Sequence, residues 1–189
     1  MKILFLGYNK SETRLIDILE NKGHKVQSTN QPVCSFQPYD LVISFGYRHL
    51  LKLETIKSAT RPPINLHISY LPYNRGAHPN FWSWVENTPS GVSIHELDQG
   101  IDTGPIIFQE ISNIKPTMTF SESYVLLLHQ IEDLFINNLS RIIQFDYMAI
   151  EQTKTGTYHN AKDLPDWLDT WDIKISDAIK KYNEQQSTI

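Results

Sequence analysis

Cysteine is nearly missing from this 189-residue chain: Cys34 stands alone. One thiol makes no intrachain disulfide and no cysteine-built metal cluster, and it points to a reducing compartment. Long apolar runs are missing too. The opening run Ile3-Leu4-Phe5-Leu6 gives way to Gly7-Tyr8-Asn9-Lys10-Ser11-Glu12, which is too short for an export signal. No run approaches the roughly 20 apolar residues of a membrane span. A cytoplasmic protein with no membrane partner is the expectation. Positive charge is not in excess. Seventeen Lys and Arg against 21 Asp and Glu give a formal net charge of −4, whereas nucleic-acid-binding domains concentrate positive charge to meet phosphates. No nucleic-acid partner is expected, although a local basic pocket for a diphosphate is compatible with this balance.

Several ligand motifs are also absent. Gly7-Tyr8-Asn9-Lys10-Ser11 lies between an apolar run and an amphipathic stretch. It has neither the Gly-x-Gly-x-x-Gly spacing of a dinucleotide loop nor a Walker lead, yet it can present helix N-terminal N–H groups to an anion. Glu96, Asp98 and Asp102 lie in or beside a glycine-containing loop. The stretch lacks the alternating oxygen register and closing Glu of a calcium loop. There is no His-Glu-x-x-His among His67, His78 and His95. A zinc hydrolase built from distant His and Asp stays open on spacing alone, as the weaker reading.

What is present is an alternation of short apolar and amphipathic stretches. Residues 3–6, 24–27, 41–45 and 64–66 read as strands, and residues 12–21 and 50–58 as helices. This order predicts an α/β fold: a Rossmann-like, mostly parallel sheet with helices on both faces and right-handed crossovers. After His67 periodicity lapses. A short helix at 81–86, strands at 91–97 and 106–111, and a long helix at 120–135 follow. Residues 153–166 read as loop and 175–182 as an amphipathic segment. The expected organisation is a core over 1–150 and an extension over 151–189, packed on the core or on a partner subunit of a homodimer.

Two polar clusters stand out. Asn65 and His67 are two apart on a strand, so they face one side, near the carboxyl edge where open parallel sheets bind ligands. Taken alone, His67 reads equally well as a hydrogen-bonded, partly buried imidazole. Asp102 sits in the glycine-containing loop, where a carboxylate commonly caps its own turn.

Together the segments are recognisable. Asn65-Leu66-His67-Ile68-Ser69-Tyr70-Leu71-Pro72, then Arg75-Gly76, resembles the signature of the N10-formyltetrahydrofolate-dependent formyltransferases. The likeness continues through Gly91-Val92-Ser93-Ile94-His95 and Gly100-Ile101-Asp102-Thr103-Gly104-Pro105-Ile106-Ile107, and covers roughly residues 1 to 112. It implies a catalytic Asn65, His67 and Asp102. It implies a folate pocket formed by Tyr47, Arg48 and Leu50 with the loop Leu97, Asp98, Gln99, Gly100 and Ile101. The co-substrate implied is N10-formyltetrahydrofolate, with no metal. The residue types suit the reaction: an amine attacks a formyl carbon, Asn65 and protonated His67 donate to the oxyanion, and Asp102 favours the imidazolium.

The amine is read from finer resemblance. The first loop lacks the Gly- and Ser-rich character of the glycinamide ribonucleotide enzymes. About 77 residues follow Ser112, little room for the C-terminal barrel of the initiator-tRNA enzymes. The stretch from Tyr70 to Trp84, and Gly156-Thr157-Tyr158-His159-Asn160-Ala161-Lys162-Asp163, look most like enzymes that formylate nucleotide-linked amino-dideoxy sugars, with dTDP the expected nucleotide. Asn9, Lys10, Arg75, His78, Asn80 and Trp82 are the candidate substrate contacts, with Asn9 and Lys10 at the diphosphate. The alternatives are another amine acceptor (methionyl-tRNA or glycinamide ribonucleotide), a formyltetrahydrofolate hydrolase, and a folate-binding interaction protein without turnover. Trp167 and Trp171, four apart, are expected to share a helix face over the sheet or a partner.

Overall fold

A computed structural model describes residues 1–187. Its six-stranded sheet has the order β2-β1-β3-β4-β6-β7, formed by β1 (Lys2–Gly7), β2 (Lys25–Thr29), β3 (Leu41–Phe45), β4 (Ile64–His67), β6 (Gly91–Glu96) and β7 (Ile106–Ile111). The first four strands are mutually parallel. β6 runs antiparallel to β4, and β7 antiparallel to β6. The expected Rossmann-like, mostly parallel sheet is therefore present, with one reversed strand.

β1 is buried on both faces, and its pleat divides the core. Ile3 and Phe5 join a large cluster on one side, while Leu4 and Leu6 join Phe36 and Val42 on the other. The large side is covered by α1 (Leu15–Asn21), α3 (Pro79–Val85), α4 (Phe120–Gln144) and α5 (Ile175–Gln186). The small side is covered by α2 (Leu53–Lys57) and the loop containing Phe36. The chain leaves β1 toward β2 but later enters β3 on β1's other flank. That reversal opens a crevice beyond the carboxyl ends of β1 and β3.

The helix limits differ from the sequence reading in instructive ways. α1 starts at Leu15 rather than residue 12, because the Glu12 carboxylate accepts from the Asn9 N–H and side chain and holds the preceding residues in turns. α4 starts as expected, with a Thr119–Glu122 capping box. It then runs nine residues past Phe135, because Leu139 and Ile142 continue its buried stripe.

The segment after residue 150 is joined to the core. Ile175 and Ala178 of α5 are fully buried in the main cluster. Trp167 and Trp171 lie in turns, not on a shared helix face. Trp167 packs on Phe81 and Trp171 on Phe120. A second, two-stranded parallel sheet pairs β5 (Arg75–Gly76) with β8 (Tyr158–His159); no sequence pattern announced it. No helix among the described residues is long and apolar enough to cross a membrane.

Candidate active site

β4 ends at His67, so its pleat brings Asn65 and His67 to one face at the carboxyl edge of the sheet. Asp102 arrives from the loop between β6 and β7 with φ of 53°, left-handed backbone that Asp tolerates better than most residues. Its carboxylate is clasped from several directions. Oδ2 accepts from the Gly76 N–H at 2.9 Å, and Oδ1 from Asn65 Nδ2 at 3.2 Å. His67 Nε2 stands 3.7 Å from Oδ2, and His95 Nε2 stands 3.4 Å from Oδ1.

His95 completes the group, and the sequence reading had left it outside the catalytic set. The signal was the β-ladder: Asn65 and His95 are direct partners across β4 and β6. His95 Nδ1 lies 2.8 Å from the Glu96 carbonyl. A carbonyl only accepts, so Nδ1 carries the proton. In the neutral ring Nε2 is then a lone pair, which accepts from Asn65 Nδ2 at 3.1 Å. The same reasoning places a proton on His67 Nε2, which donates to the Asn74 carbonyl at 3.3 Å.

These contacts set the charges. Burial pushes the His67 imidazole below its ordinary value. Asp102 pulls it back up, His95 opposes that pull, and the Asn74 carbonyl favours the protonated ring. For Asp102, burial alone works against ionisation. The field of His67 and the bond from Gly76, joined by the field and bond of His95 when its Nε2 also carries a proton, outweigh it, holding the carboxyl well below the usual carboxylate range. Asp102 is therefore the standing negative charge of the site.

A cleft of about 600 Å³ opens above His67 and Gly76 at the crevice between β1 and β3. Tyr8, Tyr47, Arg48, His78, Tyr124 and Trp171 line it, and the Tyr8 and Tyr124 hydroxyls share a hydrogen bond of 2.8 Å. His78 and Trp171 stack with ring centroids 5.4 Å apart. Asn80 also borders the cleft, but its amide ties α3 to α4 through Phe120 O and Ser123 Oγ.

The other expected contacts do not line that cleft. Lys10 Nζ is engaged by Glu20 and Asp17 on α1, away from the cleft wall. Asn9 spends its side chain on Ser11 and Glu12. Trp82 is buried beneath His159, stacked at 4.0 Å, because its turn of α3 faces the core. Arg75 borders β8 through Thr157. Leu50 is 83% exposed. The loop of Leu97 to Ile101 folds on itself, with Asp98 accepting from Gly100 N and Thr103 Oγ1. Among the described residues no cluster of His, Cys, Asp and Glu is arranged to hold a metal ion.

Fold and site together define an α/β protein whose cleft lies at the reversal point of a mostly parallel sheet, lined by His67 of an Asn–His–Asp constellation. The chain belongs to the formyl transferase family, whose sequence profile matches residues 5–139. The solved structure of the formyltransferase PseJ from Anoxybacillus kamchatkensis, in complex with UDP-4,6-dideoxy-4-formamido-L-AltNAc and tetrahydrofolate, is 36% identical. The similarity covers 96% of this chain and 100% of that one, with a TM-score of 0.90. The dTDP-4-amino-4,6-dideoxyglucose formyltransferase of Mycobacterium bovis is 30% identical over 126 residues, covering 67% of this chain and 53% of that protein. The methionyl-tRNA formyltransferase of Clostridium novyi is 30% identical over 124 residues, covering 65% and 40% respectively. The chain spans about half the length, or less, of these curated relatives.

Proposed function

We propose that this chain transfers a formyl group from N10-formyltetrahydrofolate to the amino group of a nucleotide-linked amino-dideoxy sugar. The observation that carries the proposal is the convergence of Asn65 and an ionised Asp102 on His67, which lines a cleft that also holds Arg48. The full-length likeness to PseJ, whose structure holds a UDP-linked formamido sugar, favours UDP over the dTDP expected from sequence.

In this reading the sugar amine attacks the formyl carbon. A carbon–nitrogen bond forms and the carbonyl oxygen becomes an oxyanion. The bond from that carbon to N10 then breaks, N10 leaves with a proton, and the amine gives one up. Asn65 supplies an N–H toward the developing charge by exchanging its bond to Asp102 or His95. His67 supplies a second N–H. Donors fixed in a dry site are usually the largest catalytic contribution, and losing one costs about 3 kcal/mol. Asp102 favours the imidazolium form of His67 and receives the amine proton directly or through water.

Arg48, which the resemblance put in the folate pocket, is proposed instead of Lys10 as the diphosphate contact. Lys10 is already neutralised by two carboxylates, whereas Arg48 borders the cleft. The stacked His78 and Trp171 offer an aromatic wall to a nucleobase. The folate is proposed to lie by Tyr47 and the backbone of residues 97–101.

The test is a panel of acceptors with N10-formyltetrahydrofolate, read by mass: UDP-, dTDP- and GDP-linked amino sugars, glycinamide ribonucleotide, methionyl-tRNA, and water alone. A formamide on a nucleotide-linked sugar is expected. Product only on another amine, or formate release without an amine, defeats the proposal.

A further inference from the structure

After α4 the chain turns back and crosses both loops of the constellation. Ile150 exchanges backbone hydrogen bonds with Ile106, each 2.8 Å. Gln152 Nε2 then donates to two carbonyls, Asp102 O at 2.9 Å and Gly104 O at 2.7 Å. Gly156 lies so close to the Pro72 carbonyl that a Cβ would stand 1.9 Å from its oxygen. Thr157 Oγ1 accepts from Asn74 N at 2.8 Å and donates to Asn74 Oδ1 at 3.1 Å, and its carbonyl accepts from Arg75 N at 3.0 Å. The Asn74 carbonyl is the one that His67 Nε2 addresses. One short strap therefore reaches the loop of His67 at one end and the loop of Asp102 at the other.

We infer that Gln152 is a positioning residue that fixes Asp102 for its work on His67. Left-handed backbone at a non-glycine residue persists only where the surroundings over-determine it. Gln152 places both N–H groups on the carbonyls of Asp102 and of the glycine two residues on, and so defines the turn that aims the carboxylate. The amide orientation follows from its neighbours, since both are pure acceptors. Gln152 Oε1 is buried with no hydrogen-bond partner among the described residues. An amide placed for its own satisfaction would pair its oxygen; this one is arranged around its two donors.

The charged and titratable groups facing His67 are Asp102 and His95. Loosening Asp102 weakens the attraction that holds a proton on His67, while the opposing push from His95 remains. The inference rests on the formyl-transfer reading only for its kinetic arm, so a second arm is independent of turnover. His67 is titrated by NMR of its imidazole in the wild-type chain and in Gln152→Met, which keeps the length and removes both donors. The expected result is titration at lower pH in the variant. In the acceptor assay the variant should lose roughly 10- to 100-fold in kcat, the scale of a misplaced catalytic group, with KM for both substrates within about twofold. Gln152→Asn, which keeps the amide but withdraws it by one methylene, should shift His67 the same way and serves if Gln152→Met does not fold. Unaltered His67 titration in a folded variant overturns the inference, as does a loss of thermal stability with kcat and its pH profile unchanged. A wild-type chain without transfer activity defeats the functional proposal and leaves the titration to decide the role of Gln152.

Discussion

The Gly76 N–H donates to Asp102 Oδ2 at 2.9 Å, so β5 and the loop between β6 and β7 meet at one carboxylate across 26 positions. The bond asks only for an acceptor, whereas the proposed catalysis asks for a charge. Asp102→Asn separates the two demands. Asn accepts through its carbonyl oxygen and tolerates left-handed backbone as Asp does. The melting temperature should fall modestly, by the charge's own share of stability, while kcat falls about 100- to 1,000-fold, as for removal of a transition-state electrostatic partner. Calorimetry and steady-state rates on one preparation check both halves. A loss of activity no larger than the unfolded fraction accounts for would give Asp102 a structural role.

His67 makes stability depend on pH in a defined window. Its folded pKa lies below the ordinary value of 6.5. Between those two values the unfolded chain binds more protons, so stability rises with pH and is lost on acidification from about 6.5 downward. Asp102 does not oppose this. Its pKa is depressed, so its contribution is present above the ordinary carboxylate range and lost only as pH falls through the lower folded value. Thermal melts from about pH 7 to about pH 5 should show the decline, with a shallower slope in His67→Gln. His24 and His78 are also pushed down by burial, so the slope should shrink rather than vanish.

Arg48 and Lys10 make opposite predictions for the diphosphate. A hydrogen bond to a charged group contributes about 1.5 to 3 kcal/mol, which corresponds to roughly 10- to 100-fold in binding. Arg48→Ala should raise KM for the nucleotide sugar by about that factor and leave KM for the folate nearly unchanged. The effect should shrink with an acceptor lacking the diphosphate. Lys10→Ala should change neither constant by more than about twofold, because surface ion pairs contribute little. The reverse pattern would return the phosphate to the first loop.

Gly156 tests the strap by steric means. A methyl group there meets the Pro72 carbonyl, which must move or push the strap away. Gly156→Ala should cost about 1 to 3 kcal/mol, the usual penalty of overpacking, measured by urea unfolding. If the strap serves the site, kcat falls by more than the fraction unfolded accounts for.

The legible parts of this protein were those written locally. The apolar runs of β1 and β3, the three- and four-residue apolar spacing of α4 and the spacing of Asn65 to His67 each involve residues a few positions apart. The seating of Lys10 was also within reach, since Asp17 and Glu20 sit three apart on the adjoining helix and can hold a cation between them. What escaped was written across the chain. His95 meets Asn65 only because β6 runs antiparallel to β4 in one register. Trp171 reaches the cleft because residues after 163 fold over α3 and α4. β5 and β8 are two residues each, too short for any period, and Arg75 finds Tyr158 only once the core has formed. Gln152 drew no reading from the sequence, and only the carbonyls it meets distinguish it.

The strap also has a consequence for the order of events in synthesis. Asn74 and Thr157 bond across 83 positions. A polypeptide emerges N-terminus first and folds as it emerges. When Asn65, His67 and Asp102 have all left the ribosome, the residues that steady their loops have yet to be joined to the chain. A product arrested near residue 149 would carry each proposed catalytic side chain and none of the bonds from Gln152 or Thr157. Assembly of the constellation is thus deferred until residues 152–157 have been made.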